Sequence, residues 1–503
     1  MAASKTKAIL LIMGFAVISL VSRAQLTQAQ EDSIQARYTA ELSVTGKTFI
    51  AYFRPHYMTI YSLPEKAFLT KIDSARDAFF HVLKGYMHRL DFNFAQEQVL
   101  EINYYFDKML AEYPYTHEVF TGQVAPASSK LIDRLDKNLP DLNKPEYLEK
   151  SDFIDYARAY FSYLIYEELK NARYQNVDNR NLEAIWRLLP LYVTDRACLS
   201  FWQYDYLSYH IDNLGIKNID EIYRAYKSSC DDTANLRKIT ELYTEDSIGR
   251  TDHLIKVYKQ AGPFKLDMHL FLPPGDPAGK KRPVMVFFHG GSWSEGKPDY
   301  FFYNCQGYAG KGWAACAVEY RVYGREGTLP FEAVKDARSA IRWLRQHADE
   351  YGIDTNRIVA SGNSAGGHLA LDCAMADKWN EATDDLRYSP VPNLIMVNSA
   401  VYDLTDQLTA WIRKDLTDKD LVKTISPNYL VHSGMPPVLA IHGTNDGNVP
   451  FATAEKFREE MVKAGNSIEF HPIQNAAHFI WIDPKFLDEV SNTRIAFLKK
   501  SGY

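Results

Sequence analysis

Hydrophobic positions beyond residue 246 fall into short unbroken runs separated by longer amphipathic stretches. Residues 264–272 (FKLDMHLFL) alternate with period two and stop at Pro273-Pro274-Gly275, which predicts a strand closed by a turn. Residues 283–288, 313–318, 394–397 and 438–441 are continuous apolar runs, the pattern of strands covered on both faces. Residues 357–360 form another short run, and residues 467–471 supply a last one. Between them, residues 331–351 and 484–500 carry apolar side chains at helical spacing. Strands that alternate with helices predict βαβ units, hence an α/β fold with a doubly wound, mostly parallel sheet.

The pattern ahead of residue 246 differs. Residues 38–44 and 48–53 are rich in aromatic and β-branched side chains around Gly46-Lys47, which predicts a short N-terminal hairpin. Phe68, Ile72, Phe79 and Leu83 then recur at helical spacing in a helix opening at Pro64. Further helices are expected over 94–112, 126–136, 151–171, 179–193, 196–212 and 218–245. Of the 33 tyrosines, 21 fall between Tyr38 and Tyr226. Packing between helices, with hydroxyls reaching polar partners, is the expected role of that density; an aromatic platform for a sugar or a partner is the sharper alternative. A chain of 503 residues exceeds one ordinary domain. The expected division is a signal segment over 1–24, a mainly helical domain over 25–245 and an α/β domain over 246–503.

Composition narrows the classes. A net charge of −6 supplies no basic footprint for nucleic acid. Lys5 and Lys7 precede an apolar stretch over 8–21, and Ser22-Arg23-Ala24 offers small residues for cleavage after Ala24, so a secreted or periplasmic protein is expected. That stretch is short of the ~20 residues of a span, and no membrane span is expected after its removal. An oxidising compartment permits disulfides, and Cys198 with Cys230 is the candidate pair. Cys373 reads as a small buried apolar residue. There is no HExxH, and His81 and His88 share a helix face without further ligands. Nor is there a P-loop or a dinucleotide fingerprint. No metal and no cofactor are expected.

Residues 362–367 read Gly-Asn-Ser-Ala-Gly-Gly between an apolar run and a helical one. A serine on a sharp strand-to-helix turn stands above the sheet edge, and glycines let the backbone make the turn. Ser364 is therefore the candidate nucleophile. Acyl transfer by serine also needs a base, an acid that orients the base, and donors for the developing oxyanion. Asp446, in the loop after run 438–441, is the candidate acid, ahead of Asn445 and Asp406. His478, between the last strand and the last helix, is the candidate base. His289-Gly290-Gly291-Ser292-Trp293 follows run 283–288, so the N–H groups of Gly291, Ser292 and Ala365 are the candidate oxyanion donors. His289 and His442 are expected to hold loop geometry, and His368 to be packed on the elbow helix. Trp293 and the segment 402–430 are expected to shape the acyl pocket.

On HGGSW, GNSAGG, HGTNDGNVP and the late His478, taken in that order, residues from about 248 to 500 resemble the α/β-hydrolase esterase/lipase superfamily. Glu319-Tyr320-Arg321, Asp336 and Gly352-Ile353-Asp354 make them most similar to the bacterial feruloyl/acetyl esterase group. Two departures are Ser292, where the HGGG form has a third glycine, and Ala477, where glycine usually precedes the base. The resemblance implies serine-dependent hydrolysis of carboxylic esters through an acyl-enzyme, on small or polysaccharide-linked acetyl or feruloyl esters. A peptidase or an arylformamidase on the same fold is the enzymatic alternative. An interaction protein with an inert hydrolase domain is the alternative from another class. Residues 25–245 lie outside the resemblance.

Overall fold

The computed structural model describes residues 27–124, 126–275, 281–405, 409–413, 416 and 418–503. The expected signal segment and Asp406 lie outside the described residues. The chain forms two compact units that divide between Leu164 and Ile165, not near residue 245.

The first unit is helical throughout its described elements, and the expected hairpin is absent from it. Gln28–Tyr61 is one continuous helix. Its aromatic side chains explain why. Phe49, Phe53, Tyr57 and Tyr61 are four apart, so they share one face, and each touches the next ring at 4.7–5.7 Å. Phe49 also meets Phe79 and Phe106. That packing overrides the local strand preference. Gly46 faces open space, and its cost in a helix is only about 1 kcal/mol. The helices Glu65–Tyr86, Phe92–Thr121 and Ser129–Asp136 follow. Asp91 caps the second of these through Asn93 N and Phe94 N, and left-handed Gly122 ends it. Several tyrosines are buried with bonded hydroxyls: Tyr38 donates to Gln98, Tyr113 to Leu63 O and Tyr156 to Leu135 O. At these positions tyrosine is a packing residue.

In the second unit, helices Arg180–Tyr192, Arg196–Leu214, Asp220–Ser229 and Thr233–Gly249 precede the sheet. The expected single helix over 218–245 is two, because Asp232 caps a new one through Ala234 N and Asn235 N. The expected Cys198–Cys230 disulfide is not formed. The Cys230 thiol instead donates to Tyr226 Oη at 3.2 Å.

Eight strands follow: β1 Leu254–Ala261, β2 Phe264–Phe271, β3 Arg282–Phe288, β4 Ala314–Val318, β5 Ile353–Asn363, β6 Leu394–Asn398, β7 Val438–Gly443 and β8 Ile468–Ile473. They form one sheet in the order β1-β2-β4-β3-β5-β6-β7-β8, with only the β1–β2 and β2–β4 pairs antiparallel. The strand β1 escapes the hydrophobic pattern, since its Ile255 and Val257 are exposed. Val284, Val286 and Phe288 of β3 enter one core, and Met285 and Phe287 the other. The unbroken apolar runs thus mark a sheet covered on both faces. Parallel pairing places Phe288 beside Gly362, Asn363 beside Asn398 and Gly443 beside Ile473. The loops leaving β3, β5, β6, β7 and β8 therefore gather at one edge.

Helix Arg196–Leu214 braces one of these loops. Asn213 O accepts from Gly296 N at 2.7 Å, and Asp212 O accepts from Tyr300 Oη at 3.3 Å. Lys297 is buried beneath it, donating to Ile211 O at 3.1 Å and pairing with Asp246 at 3.1 Å and Asp299 at 2.8 Å. Burial alone would lower the ammonium pKa, but the two carboxylates outweigh it and raise it. Breaking one partner out of a buried ion pair strands the other. Lys297→Met is expected to lower the unfolding free energy by about 3 kcal/mol in urea denaturation. Lys297→Arg is expected to recover most of that loss.

Candidate active site

Ser364 sits between β5 and helix Ala365–Met375 with φ 53° and ψ −120°, a conformation that side-chain-bearing residues adopt only under strain. Its neighbours show what imposes the turn. A Cβ on Gly366 would lie 2.0 Å from Phe288 O, and one on Gly362 would lie 2.3 Å from Gly366 C and O. Only glycine allows the elbow to close against β3. Ser364 N donates to Asn398 O at 3.0 Å, which ties the elbow to the end of β6.

The glycine loop after β3 lies against this elbow, with the Gly290 Cα facing Asn363 O and the Ser364 Cβ. Gly291, Ser292 and Trp293 all have positive φ, at 119°, 54° and 56°. The N–H groups of Gly291, Ser292 and Ala365 donate to no other described residue. His289 holds the loop as expected. Its ring stacks on Tyr320 at 4.1 Å, and Tyr320 Oη donates to His289 O at 2.7 Å. Burial pulls its pKa down to about 3, so it stays neutral.

His478 Nδ1 donates to Asp446 Oδ2 at 2.8 Å. The other carboxylate oxygen, Oδ1, accepts from Asn448 N and Val449 N, both at 2.8 Å. A fourth donor is His442, whose Nε2 lies 3.3 Å from Asp446 Oδ2 and 3.1 Å from Val449 O. Both neighbours accept, so the Nε2 of His442 carries the proton. Burial acts to raise the Asp446 pKa. The bonds from His442, His478 and Val449 N outweigh it and hold the carboxyl well below the usual range. On the far side of the histidine, Ser399 Oγ donates to His478 O at 2.9 Å. Ser399 has φ 41°, a second strained serine at the same edge.

Sequence pattern assigns His442 to loop geometry and does not single out Ser399. A signal for His442 is present in the chain, because it stands four residues before Asp446 in one tight loop. Ser399 is a lone serine at a strand end, and its partner is a backbone carbonyl that no pattern reveals. Asn445 does not compete with Asp446: its N–H donates to Ala476 O, while His478 bonds the aspartate. His368 is packed as expected, fully buried, with Nε2 2.6 Å from Ile425 O. Burial lowers its pKa to about 4, against the opposing pull of that carbonyl.

Ser364, His478, Gly291 and Ser292 line one cavity of about 1220 Å³. Trp293 lines it too, packed edge-on against His368 at 4.9 Å. Asp403, Thr409 and Trp411 bring part of the expected 402–430 segment to the same cavity. Aromatic rings from two other segments, Tyr300, Tyr303, Phe479 and Trp481, complete much of the rest. Among the described residues, no group of three or more His, Cys, Asp or Glu side chains is placed to hold a metal ion. No described helix is long and apolar enough to cross a membrane.

The BD-FAE family model matches residues 268–461, a stretch that holds Ser364 and Asp446 and stops short of His478. Esterase LipQ of Mycobacterium tuberculosis is 28% identical over 220 residues, 40% of this chain and 51% of that protein. Esterase LipC of the same organism is 26% identical over 262 residues, 45% of this chain and 62% of that one. The chain thus spans less than two thirds of either curated relative. Among solved structures, the thermophilic esterase Est2 of Thermogutta terrifontis is 34% identical, covering 50% of this chain and 94% of that one, with a TM-score of 0.47.

Proposed function

Because the C-terminal half of the chain is an α/β-hydrolase of the esterase/lipase superfamily, we propose that this protein is a serine-dependent carboxylic ester hydrolase. The observation that carries the reading is the 2.8 Å bond from His478 to Asp446, on the same cavity as a serine in a strained elbow. Ser364 Oγ attacks the ester carbonyl as His478 Nε2 takes its proton. Asp446 fixes the Nδ1–H tautomer and stabilises the imidazolium. The N–H groups of Gly291, Ser292 and Ala365 receive the negative oxygen. The carbon–oxygen bond to the alcohol then breaks, and His478 gives its proton to the departing oxygen. Water, activated by the same imidazole, releases the acid and restores Ser364.

The loop geometry supports the oxyanion assignment and gives it a test. A Cβ on Gly291 would lie 2.1 Å from Glu295 O, at a φ that side chains rarely adopt. Gly291→Ala is expected to displace its N–H and lower kcat by about 10²–10³-fold with little change in KM. An unchanged kcat in a folded variant would remove Gly291 from the assignment.

Acetyl or hydroxycinnamoyl esters on polysaccharides are the proposed substrates, supported by the exposed rings of Tyr300, Tyr303 and Phe479 on the cavity. Turnover of acetylated xylan and methyl ferulate, set beside formylkynurenine and aminoacyl-proline amides, separates this from the formamidase and peptidase readings. Export is also proposed, on the sequence of residues 1–24; a mature N-terminus at Gln25 is its check.

A further inference from the structure

From the cations that line the cavity we infer a subsite for a carboxylate carried on the alcohol part of the ester; this rests on the ester-hydrolase reading. His478 must protonate the leaving oxygen, so the alcohol departs on the side of the cavity that His478 occupies. The segment that follows His478 contributes Phe479, Trp481, Leu487, Ser491 and Arg494 to the lining of the same cavity. Arg494 is half-buried, with its guanidinium 5.9 Å from the Phe287 ring. Only one of its bonds goes to a described residue, from Nη2 to Ser361 Oγ at 3.0 Å. Lys311, in the turn after helix Phe302–Ala309, lines the same cavity, and its ammonium sits 5.8 Å from the Tyr308 ring. No described carboxylate lies within 4.0 Å of either cation. Asp488 also lines the cavity, exposed on the first turn of helix Leu487–Lys500.

A guanidinium presents up to five donors in a planar fork that matches a carboxylate, and it loses its hydration more readily than an ammonium. Here most of that fork is unspent on the protein, inside a cavity shared with the nucleophile. Tyr303, 85% exposed and lining the same cavity, supplies a ring face for the group that links the ester to the carboxylate. An acidic saccharide and an aryl acid both have this chemistry: a flat or ring-shaped body ending in one negative charge.

The test is a series of 4-(ω-carboxyalkyl)phenyl acetates with one to eight methylenes, each compared with its primary amide. Within each pair the leaving phenols differ only in the remote acid or amide terminus, so the ratio of kcat/KM between acid and amide reads that terminal group. At the chain length that reaches Arg494, the acid is expected to be favoured by roughly tenfold to a hundredfold. Arg494→Gln is expected to bring that ratio close to one, and Lys311→Gln to lower it severalfold. Asp488→Asn, which removes an opposing charge from the lining, is expected to raise it. Wild-type ratios at or below one for every chain length, with the amides still hydrolysed, would overturn the subsite and leave the esterase reading standing. No turnover of acids or amides would overturn both.

Discussion

Replacing Ser364 with alanine is expected to lower kcat on p-nitrophenyl acetate by about 10⁶-fold, as removing the nucleophile of a serine hydrolase does. The variant should fold. Ser364 occupies a helix N-cap without a side-chain cap bond, and alanine keeps the Cβ that faces Gly290. Alanine meets the same backbone strain that serine does, so the elbow persists while the reacting oxygen is lost. Thermal unfolding of the two proteins should therefore nearly coincide. Equal turnover by both would remove the acyl-enzyme from the account, and negligible turnover by both would favour an inert domain.

Asp446→Asn is expected to lower kcat by about 10⁴-fold. The carboxylate is held by two histidine donors and two backbone N–H groups. An asparagine can present only one acceptor oxygen to those four donors, and its NH₂ confronts donors on the other side. It either turns its NH₂ toward His478, favouring the tautomer in which Nε2 cannot accept a proton, or turns it toward Asn448 and Val449. The same substitution has a signature in stability. The folded-state pKa of Asp446 lies below its unfolded value, so the ionised carboxylate stabilises the fold above about pH 4. That contribution fades as the pH falls below the unfolded pKa. Urea denaturation should then show a large gap between wild type and Asp446→Asn at pH 7, and a gap that narrows on acidification. It also follows that a loss of activity between pH 5 and 7 has a cause other than protonation of Asp446.

The parts of the site that are legible in the chain are those imposed by backbone geometry. Gly362 and Gly366 are required because a Cβ at either would come within 2.0–2.3 Å of backbone atoms, so the elbow leaves a mark in the sequence. Asp446 and His478 stand in loops directly after β7 and β8, where a parallel sheet delivers residues to one edge. Partners set by tertiary packing leave a weaker mark. His442 reaches Asp446 because the 442–449 loop folds back on itself. Ser399 reaches His478 O through the register of β6 between β5 and β7. Lys297 acquires its role only because helix Arg196–Leu214 ends above it. The hairpin expected at residues 38–53 fails for the same reason in reverse. Local strand preference competes there with aromatic side chains spaced four apart, and packing against Phe79 and Phe106 decides the outcome.

The division of the chain also changes what the helical half can be. Helices over 180–249 belong to the same compact unit as the sheet, and one of them clamps the loop that follows the proposed oxyanion donors. Residues up to Leu164 are a separate unit, built on aromatic helix packing. A chain shortened to begin just past Asp246 would lose that carboxylate and the Ile211 carbonyl, both partners of buried Lys297.

Acylation of Ser364 is read out by intact-protein and peptide mass spectrometry after rapid quenching from p-nitrophenyl acetate. The expected result is a single acetyl group on the peptide containing Ser364, forming with a burst of nitrophenolate and absent from Ser364→Ala. An acetyl group on another residue, or nitrophenolate release with no acetyl group on Ser364 at any quench time, would contradict it.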